Sequence, residues 1–248
     1  MKFDIITIFP HVFDSYLNES MIKRAKSKKL VDIKIHDLRS FSRDKHRKVD
    51  DRPYGGGPGM VLKAEPIVRA IQSLLKPSIF NFQFSIFKRR TKIVLFSASG
   101  KQFNAKTASD WAKKYERIIM IAGHYEGVDE RIKKVIENCK LKIENLSIGP
   151  YVLTGGELPA MVVVDAVSRH IPGVLGKEES LEEKRYGVGV PVYTRPEVFE
   201  WPAFASTSAK ATADKKTSAD KKGKKYAVPK VLLSGDYAKV KEWRKKHV

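Results

Sequence analysis

Residues 147–176 read SIGPYVLTGGELPAMVVVDAVSRHIPGVLG. A loop dense in backbone-permissive residues stands directly before an amphipathic helical pattern, Glu157–His170, which closes on Arg169 and a Pro-Gly break. Glycine removes the side-chain obstacle to close approach, so such a loop lets main-chain N–H and C=O groups meet a small ligand. Ahead of the loop lies Leu141–Ile148, an apolar run with the character of a strand. Strand, glycine loop and helix in that order are one step of the alternation that argues for an α/β fold.

Outward from this stretch the alternation continues. Phe3–Phe9, Val31–Leu38, Lys92–Ser97 and Arg117–Ala122 have strand character, and Val12–Ser27, Glu65–Leu75, Ala105–Lys114 and Glu126–Glu137 have helical character. The pattern predicts an α/β fold with a largely parallel sheet. Two insertions interrupt it. In the first, residues 77–90, the run Ile79–Phe87 alternates Phe80, Phe82 and Phe84 with polar residues. That period fits an edge strand or hairpin arm, the other reading being an aromatic base-stacking platform. In the second, Ala203–Lys225, seven lysines face two aspartates with almost nothing to bury after Phe204. Such a segment is expected to lack fixed structure when free. It reads equally as a grip on a phosphate backbone or as a solvated linker. Order resumes with Val228–Leu233 and a basic final helix, Asp236–His247.

Composition narrows the partners. The 248 residues carry a formal charge of +20, with pI near 9.9. A surplus this large favours a polyanion over a merely solvated basic surface. Cys139 is the only cysteine, which excludes an internal disulfide and a cysteine-based zinc cage. The opening MKFDIITIFP is short and interrupted by Asp4, so it reads as a strand rather than a signal peptide. Without an apolar run of membrane-spanning length, a cytoplasmic location is expected.

Three further stretches carry chemistry. Asp50–Met60, DDRPYGGGPGM, is glycine-rich but lacks the Gly-Lys-Ser/Thr ending of a phosphate-binding loop, which argues against a nucleotide hydrolase. Phe96–Gly100, FSASG, ends a strand with small residues, and Gly123–Arg131, GHYEGVDER, follows the next strand. Ligands of open α/β sheets bind at such strand ends. Asp129 and Glu130 read as acids favouring a helix start, whereas Glu126 is a functional candidate.

Together these stretches resemble the bacterial tRNA (guanine-N1)-methyltransferases, the TrmD family of the SPOUT superfamily. The likeness covers most of residues 1–202 and resumes at VPKVLLSGDYAKVKEWR, residues 228–244. It implies a deep trefoil knot in a methyltransferase domain over residues 1–172, a linker over 173–189, and a small, reduced, helical tRNA-binding domain over 190–248 that carries the insertion 203–225. It implies S-adenosylmethionine as methyl donor, bent among the knot loops and held largely by main chain at Phe96, Ser97, Ala98, Gly100, Gly123, Glu126, Ile148, Gly149, Tyr151, Val152, Leu153, Gly155 and Gly156. Asp50, Asp51, Arg52, Gly55, Gly57 and Gly59 would stand beside the target guanine, just 3′ of the anticodon, and Arg244 against the tRNA. The resemblance further implies a homodimer with a composite active site and participation of Mg2+, for which the sequence offers no dedicated cage.

Methyl transfer to guanine N1 requires loss of its proton to a general base and stabilisation of the charge that spreads to O6. Arg169 matches the family's essential arginine in DAVSRxIPGVLG, the plainer reading being a helix-surface pair with Asp165. The base departs from the family. Lys184 stands where typical members have an aspartate in a Glu-Asp-Ser-Phe segment, and a lysine is protonated at neutral pH unless strongly desolvated. Glu183 is the expected substitute and Glu182 the second choice, against the alternative that Glu178, Glu179, Glu182 and Glu183 form a solvated acidic face. Two rival functions follow: a binding protein that has lost its base, and a knotted relative that methylates another nucleotide. The chain ends soon after the Trp-Arg segment, from which salt-sensitive tRNA binding is expected.

Overall fold

The computed structural model describes residues 1–75, 90–139, 141–177, 180–181, 189–201 and 224–247. They fall into two units, Met1–Leu181 and Glu182–Val248. In the first, the strands are β1 (Lys2–Thr7), β2 (Asp32–Asp37), the short pair β3 (Asp50–Asp51) and β4 (Val61–Leu62), β5 (Thr91–Gln102), β6 (Arg117–Ile121) and β7 (Ile143–Ser147). Five of them form one sheet in the order β2-β1-β6-β5-β7, and every neighbouring pair is parallel. The α/β alternation of the sequence predicts this arrangement.

Helices cover both faces of the sheet: α1 (Asp14–Leu17), α2 (Ser20–Ser27), α3 (Ala64–Leu75), α4 (Ala105–Lys114), α5 (Arg131–Asn138) and α6 (Glu157–Arg169). Successive strand residues point to opposite sides. In β6, Ile118 and Met120 join the core under α1, α2, α4 and α6, while Ile119 and Ile121 join the core under α3 and α5. Burial on both faces explains why the strands read as apolar runs rather than as an alternation. Among the described strand residues of this sheet, one carboxylate is buried. Asp4 in β1 is fully buried and accepts bonds from Arg117 Nε at 2.7 Å and His36 Nε2 at 2.7 Å.

Three elements differ from the sequence expectation. The helix expected over Val12–Ser27 is two helices, because Asn18 Nδ2 takes the Asp14 carbonyl at 2.7 Å and Ser20 adopts φ 48°. The helix expected from Glu126 starts at Arg131 instead. Residues ahead of it spend their backbone groups on β4 and the residue before it, through Glu126 N to Met60 O, Leu62 N to Gly127 O and Asp129 N to Leu62 O, each at 3.0 Å. Finally, β5 runs past its expected end. Phe96 and Lys101 both lie opposite Leu146, so Ser97–Gly100 form an excursion within the pairing with β7.

The second unit contains an antiparallel ribbon, β8 (Val198–Trp201) and β9 (Lys224–Ala227), then α7 (Lys230–Leu233) and α8 (Tyr237–Lys246). The sequence reading named helix here and not the ribbon. Asp236 caps α8, accepting from the N–H groups of Ala238 and Lys239 at 3.0 and 3.1 Å. The phenylalanine-rich run Ile79–Phe87 and most of the lysine-rich insertion, residues 203–223, lie outside the described residues. Among the described residues no helix is long and apolar enough to cross a membrane.

Candidate active site

Parallel strands bring their C-terminal ends to one edge, and there a cleft opens. It has a volume of about 270 Å³ and is walled by three loops, those after Leu95 of β5, after Ile121 of β6 and after Leu146 of β7. Phe96, Ser97, Ala98, Gly123, Glu126, Ile148, Gly149, Tyr151, Val152, Leu153, Gly155 and Gly156 all line it. Gly100 does not. A Cβ on Gly100 would fall 2.6 Å from Leu146 N, so this glycine lets β5 return against β7 after its excursion.

The loops are tied to one another. Gly156 N donates to Gly123 O at 2.8 Å, and His124 bridges to Gly155. A Cβ on Gly156 would lie 2.6 Å from Ala122 Cα, backbone against backbone, with no side chain able to yield. Gly156→Ala is therefore expected to cost about 1–3 kcal/mol through overpacking, read as a fall in Tm of roughly 5 °C. An unchanged melting curve would show that the junction of the two loops is soft.

Below Gly155 lies a polar network that the sequence reading did not single out. Glu157, buried at the first turn of α6, accepts from Thr7 Oγ1 at 2.8 Å. Its other oxygen stands 3.7 Å from His124 Nδ1, beyond hydrogen-bond reach. The His124 ring packs edge-on against Phe9 and Tyr125, with centroids 4.9 and 5.0 Å away. A Cβ on Gly155 would fall within 2.4 Å of both Glu157 Oε2 and His124 Nδ1, so the bare glycine leaves space for this pair. His124 and Glu157 were legible only as members of their motifs. Nothing in the sequence links them to Thr7, 150 residues from Glu157.

The DDRPYGGGPGM loop adjoins the cleft. A second depression of about 1330 Å³ is lined by Asp51, Arg52, Pro53 and Tyr54 and shares Glu126, Val128 and Glu130 with the first. Gly59 packs its main chain on Glu126, with a would-be Cβ 2.5 Å from Oε1. Gly55 and Gly57 have nothing within 4 Å of a would-be Cβ, yet take φ of 86° and 113°, so conformation rather than crowding selects glycine there. Burial, with the charge and hydrogen bond of Asp50, raises the Tyr125 phenol above its ordinary value and connects the two loops. The Arg52 N–H and then Lys63 hold the Asp51 carboxyl below the usual range. Asp129 accepts from Arg131 N at 2.9 Å and pairs with its guanidinium, and Glu130 pairs with Lys133 at 2.6 Å, in keeping with helix-start roles.

Arg169 is the last residue of α6 and is half-buried. Asp165 accepts the Tyr16 hydroxyl at 2.6 Å, a bond that raises the Tyr16 phenol to about 12. Arg244 lies in α8 of the second unit and borders a hollow there with Tyr193 and Leu233. Glu182, Glu183 and Lys184 lie outside the described residues, as do Glu178 and Glu179.

Comparison with known proteins gives a consistent result. The family profile described as tRNA (Guanine-1)-methyltransferase TrmD matches residues 1–248. A protein of Dictyoglomus turgidum named tRNA (guanine-N(1)-)-methyltransferase is 43% identical over 249 residues, covering 99% of this chain and 84% of its own length. Proteins of the same name from Dehalococcoides mccartyi and Clostridioides difficile are 42% and 40% identical, each across 99% of this chain and 85% and 91% of their own.

Proposed function

The chain belongs to the TrmD family of tRNA (guanine-1)-methyltransferases, and from that premise we propose that it methylates N1 of the guanine 3′ of the anticodon, with S-adenosylmethionine as donor. The observation that carries this reading is the cleft at the ends of β5, β6 and β7. Its walls include bare main chain at Gly123, Gly149, Gly155 and Gly156, where a Cβ would meet neighbouring protein atoms at 3.3, 2.1, 2.3 and 2.6 Å, so glycine there lets the loops pack and leaves their backbone uncovered. Such a surface suits a donor held by backbone groups. When bound, S-adenosylmethionine supplies an electrophilic methyl group on a sulfonium centre. The residues lining the cleft would hold and orient it, since in-line displacement depends strongly on positioning.

Guanine N1 becomes a nucleophile on losing its proton, and we assign that proton to Glu183, with Glu182 second. The Arg169 guanidinium then meets the charge that develops on O6. Asp50, Asp51, Arg52 and the glycines of their loop are assigned to the guanine, and Arg244 to the tRNA. The length of α6 supports a composite site in a homodimer. Gly156 and Pro159, at its start, line the cleft, whereas Arg169 closes its far end, about 18 Å from Glu157 at 1.5 Å per residue. A second copy is the direct way to bring an arginine to the methyl group. The closure of three loops at one sheet edge supports the knotted SPOUT topology, which we assign to residues 1–172; a linker over 173–189 and a tRNA-binding domain over 190–248 complete the proposal. Magnesium fits less well: among the described residues no group of three or more His, Cys, Asp or Glu could hold a metal.

The test is transfer from labelled S-adenosylmethionine to a tRNA transcript with guanine 3′ of the anticodon, beside one lacking it. Incorporation into the first alone, mapped to N1, supports the reading. In the Glu183→Gln variant, transfer should vanish while donor and tRNA still bind. Retained transfer would move the base to Glu182. Lys184 favours one rival, a binding protein without a base, for which both ligands bind and no methyl group moves. With a chain of charge +20, the logarithm of tRNA affinity should fall steeply and linearly with that of salt concentration.

A further inference from the structure

All residues of the β8–β9 ribbon are exposed, and its register sorts its side chains sharply. Phe199 lies opposite Tyr226 and Trp201 opposite Lys224, which puts these four on one face. The other face holds Val198 opposite Ala227 and the Glu200–Lys225 ion pair at 2.7 Å. On the first face the rings form a tilted row: Phe199 is 5.5 Å from Trp201 and 6.4 Å from Tyr226, at interplanar angles of 32° and 39°. Lys224 Nζ stands 5.5 Å from the Tyr226 ring centroid. Phe199, Trp201 and Tyr226 are each close to half exposed, which is costly aromatic area to leave toward water.

We propose that this face is a stacking platform for unpaired nucleotides of RNA. Aromatic planes receive base faces without sequence preference, and cations beside them meet the phosphates. Charge decides between this occupant and a second copy of the chain. Residues 202–223, which join the two strands, carry five lysines against two aspartates, and Lys224 and Lys225 follow directly. Self-association through this ribbon would set lysine against lysine in a chain of charge +20, whereas a polyanion is complementary to it. The proposal rests on the tRNA reading for its biological ligand and goes beyond it by assigning the ribbon a contact with looped-out or single-stranded bases.

The experiment compares a short single-stranded RNA with a blunt RNA duplex of equal charge, titrated against the full chain and its variants. Phe199→Ala and Tyr226→Ala should each weaken single-strand binding by about ten-fold, with little change for the duplex and none in the salt slope. Tyr226→Phe should retain affinity. Lys224→Ala should instead lower the salt slope by about one unit on both probes. Tryptophan fluorescence should be quenched by the single strand, and the quench should be lost in Trp201→Phe. Equal losses on both probes, or no loss for either aromatic variant, would overturn the platform. So would conversion of a dimer to monomers by these variants with RNA affinity unchanged. The two readings fail separately: if no methyl transfer is found yet the aromatic variants still discriminate single strand from duplex, the platform stands and the enzyme reading falls.

Discussion

Replacing Arg169 with alanine is expected to lower kcat for methyl transfer by about 10²–10³-fold, the loss typical when one group that meets developing negative charge is removed. Donor affinity should be unchanged, because Arg169 is assigned to the guanine O6 and not to the loops that hold the donor. Arg169→Lys should recover only part of the rate, since an ammonium keeps the charge but not the planar fork. Single-turnover transfer, with calorimetry for the donor, separates these effects. A fall no larger than that of an ordinary surface substitution would remove Arg169 from the chemistry. Mixing goes further. When Arg169→Ala protomers are re-paired with protomers that cannot bind donor, such as Gly156→Ala if calorimetry shows it empty, each mixed dimer regains one complete site. Random re-pairing then restores about a quarter of the parent rate, because half the dimers are mixed and each has one working site. A site confined to one chain restores nothing.

The second large effect concerns stability. Asp4→Ala removes the carboxylate from the buried guanidinium of Arg117, whose Nη1 donates to the Leu74 carbonyl at 2.6 Å. Breaking a buried pair on one side costs about 3–5 kcal/mol, roughly 10 °C in Tm for a chain of this size. Denaturant midpoints and melting curves would read it, and a variant as stable as the parent would show that water or rearrangement rescues the arginine. The same pair sets an acid limit. Burial alone would raise the Asp4 carboxyl, but hydrogen bonds from His36 and Arg117 and the charges of Arg117 and Lys2 outweigh it, so the folded value lies below the ordinary 3.8. The unfolded chain therefore takes up the proton first as pH falls. The stabilisation is complete above the ordinary value and is lost as pH drops through the folded one. In Asp4→Ala this portion of the acid transition should be absent.

Much of this was legible in the sequence because it was local. The helices α4 and α6 begin where their helical patterns do, at Ala105 and Glu157. Glycine loops at three strand ends announced the cleft, since close main-chain approach admits few other residues. What escaped was non-local. Asp4 reads as an interruption of an apolar stretch until Arg117, 113 residues later, is set beside it. The Thr7–Glu157–His124 network has no spacing to detect. Gly100 was legible as a glycine but not for its purpose, which is contact with the β7 backbone rather than with the cleft. The start of α5 was misjudged because Glu126 and Asp129 suit a helix, while β4 competes for their backbone groups and wins.

The order of the sheet also bears on how the chain comes off the ribosome. β1 sits between β2 and β6, so one of its edges can be filled early, while the other waits for Arg117–Ile121. At usual translation speeds that wait is on the order of ten seconds. An open apolar edge is a template for any passing strand. Asp4 lies in the middle of it, and its Oδ2 finds its guanidinium on the same strand that closes the edge. A foreign strand would have to bury that carboxylate oxygen without a counter-ion, whereas the proper one delivers the counter-ion as it docks. Docking of β6 thus closes the open edge of β1 and pairs the Asp4 carboxylate with Arg117 in one step.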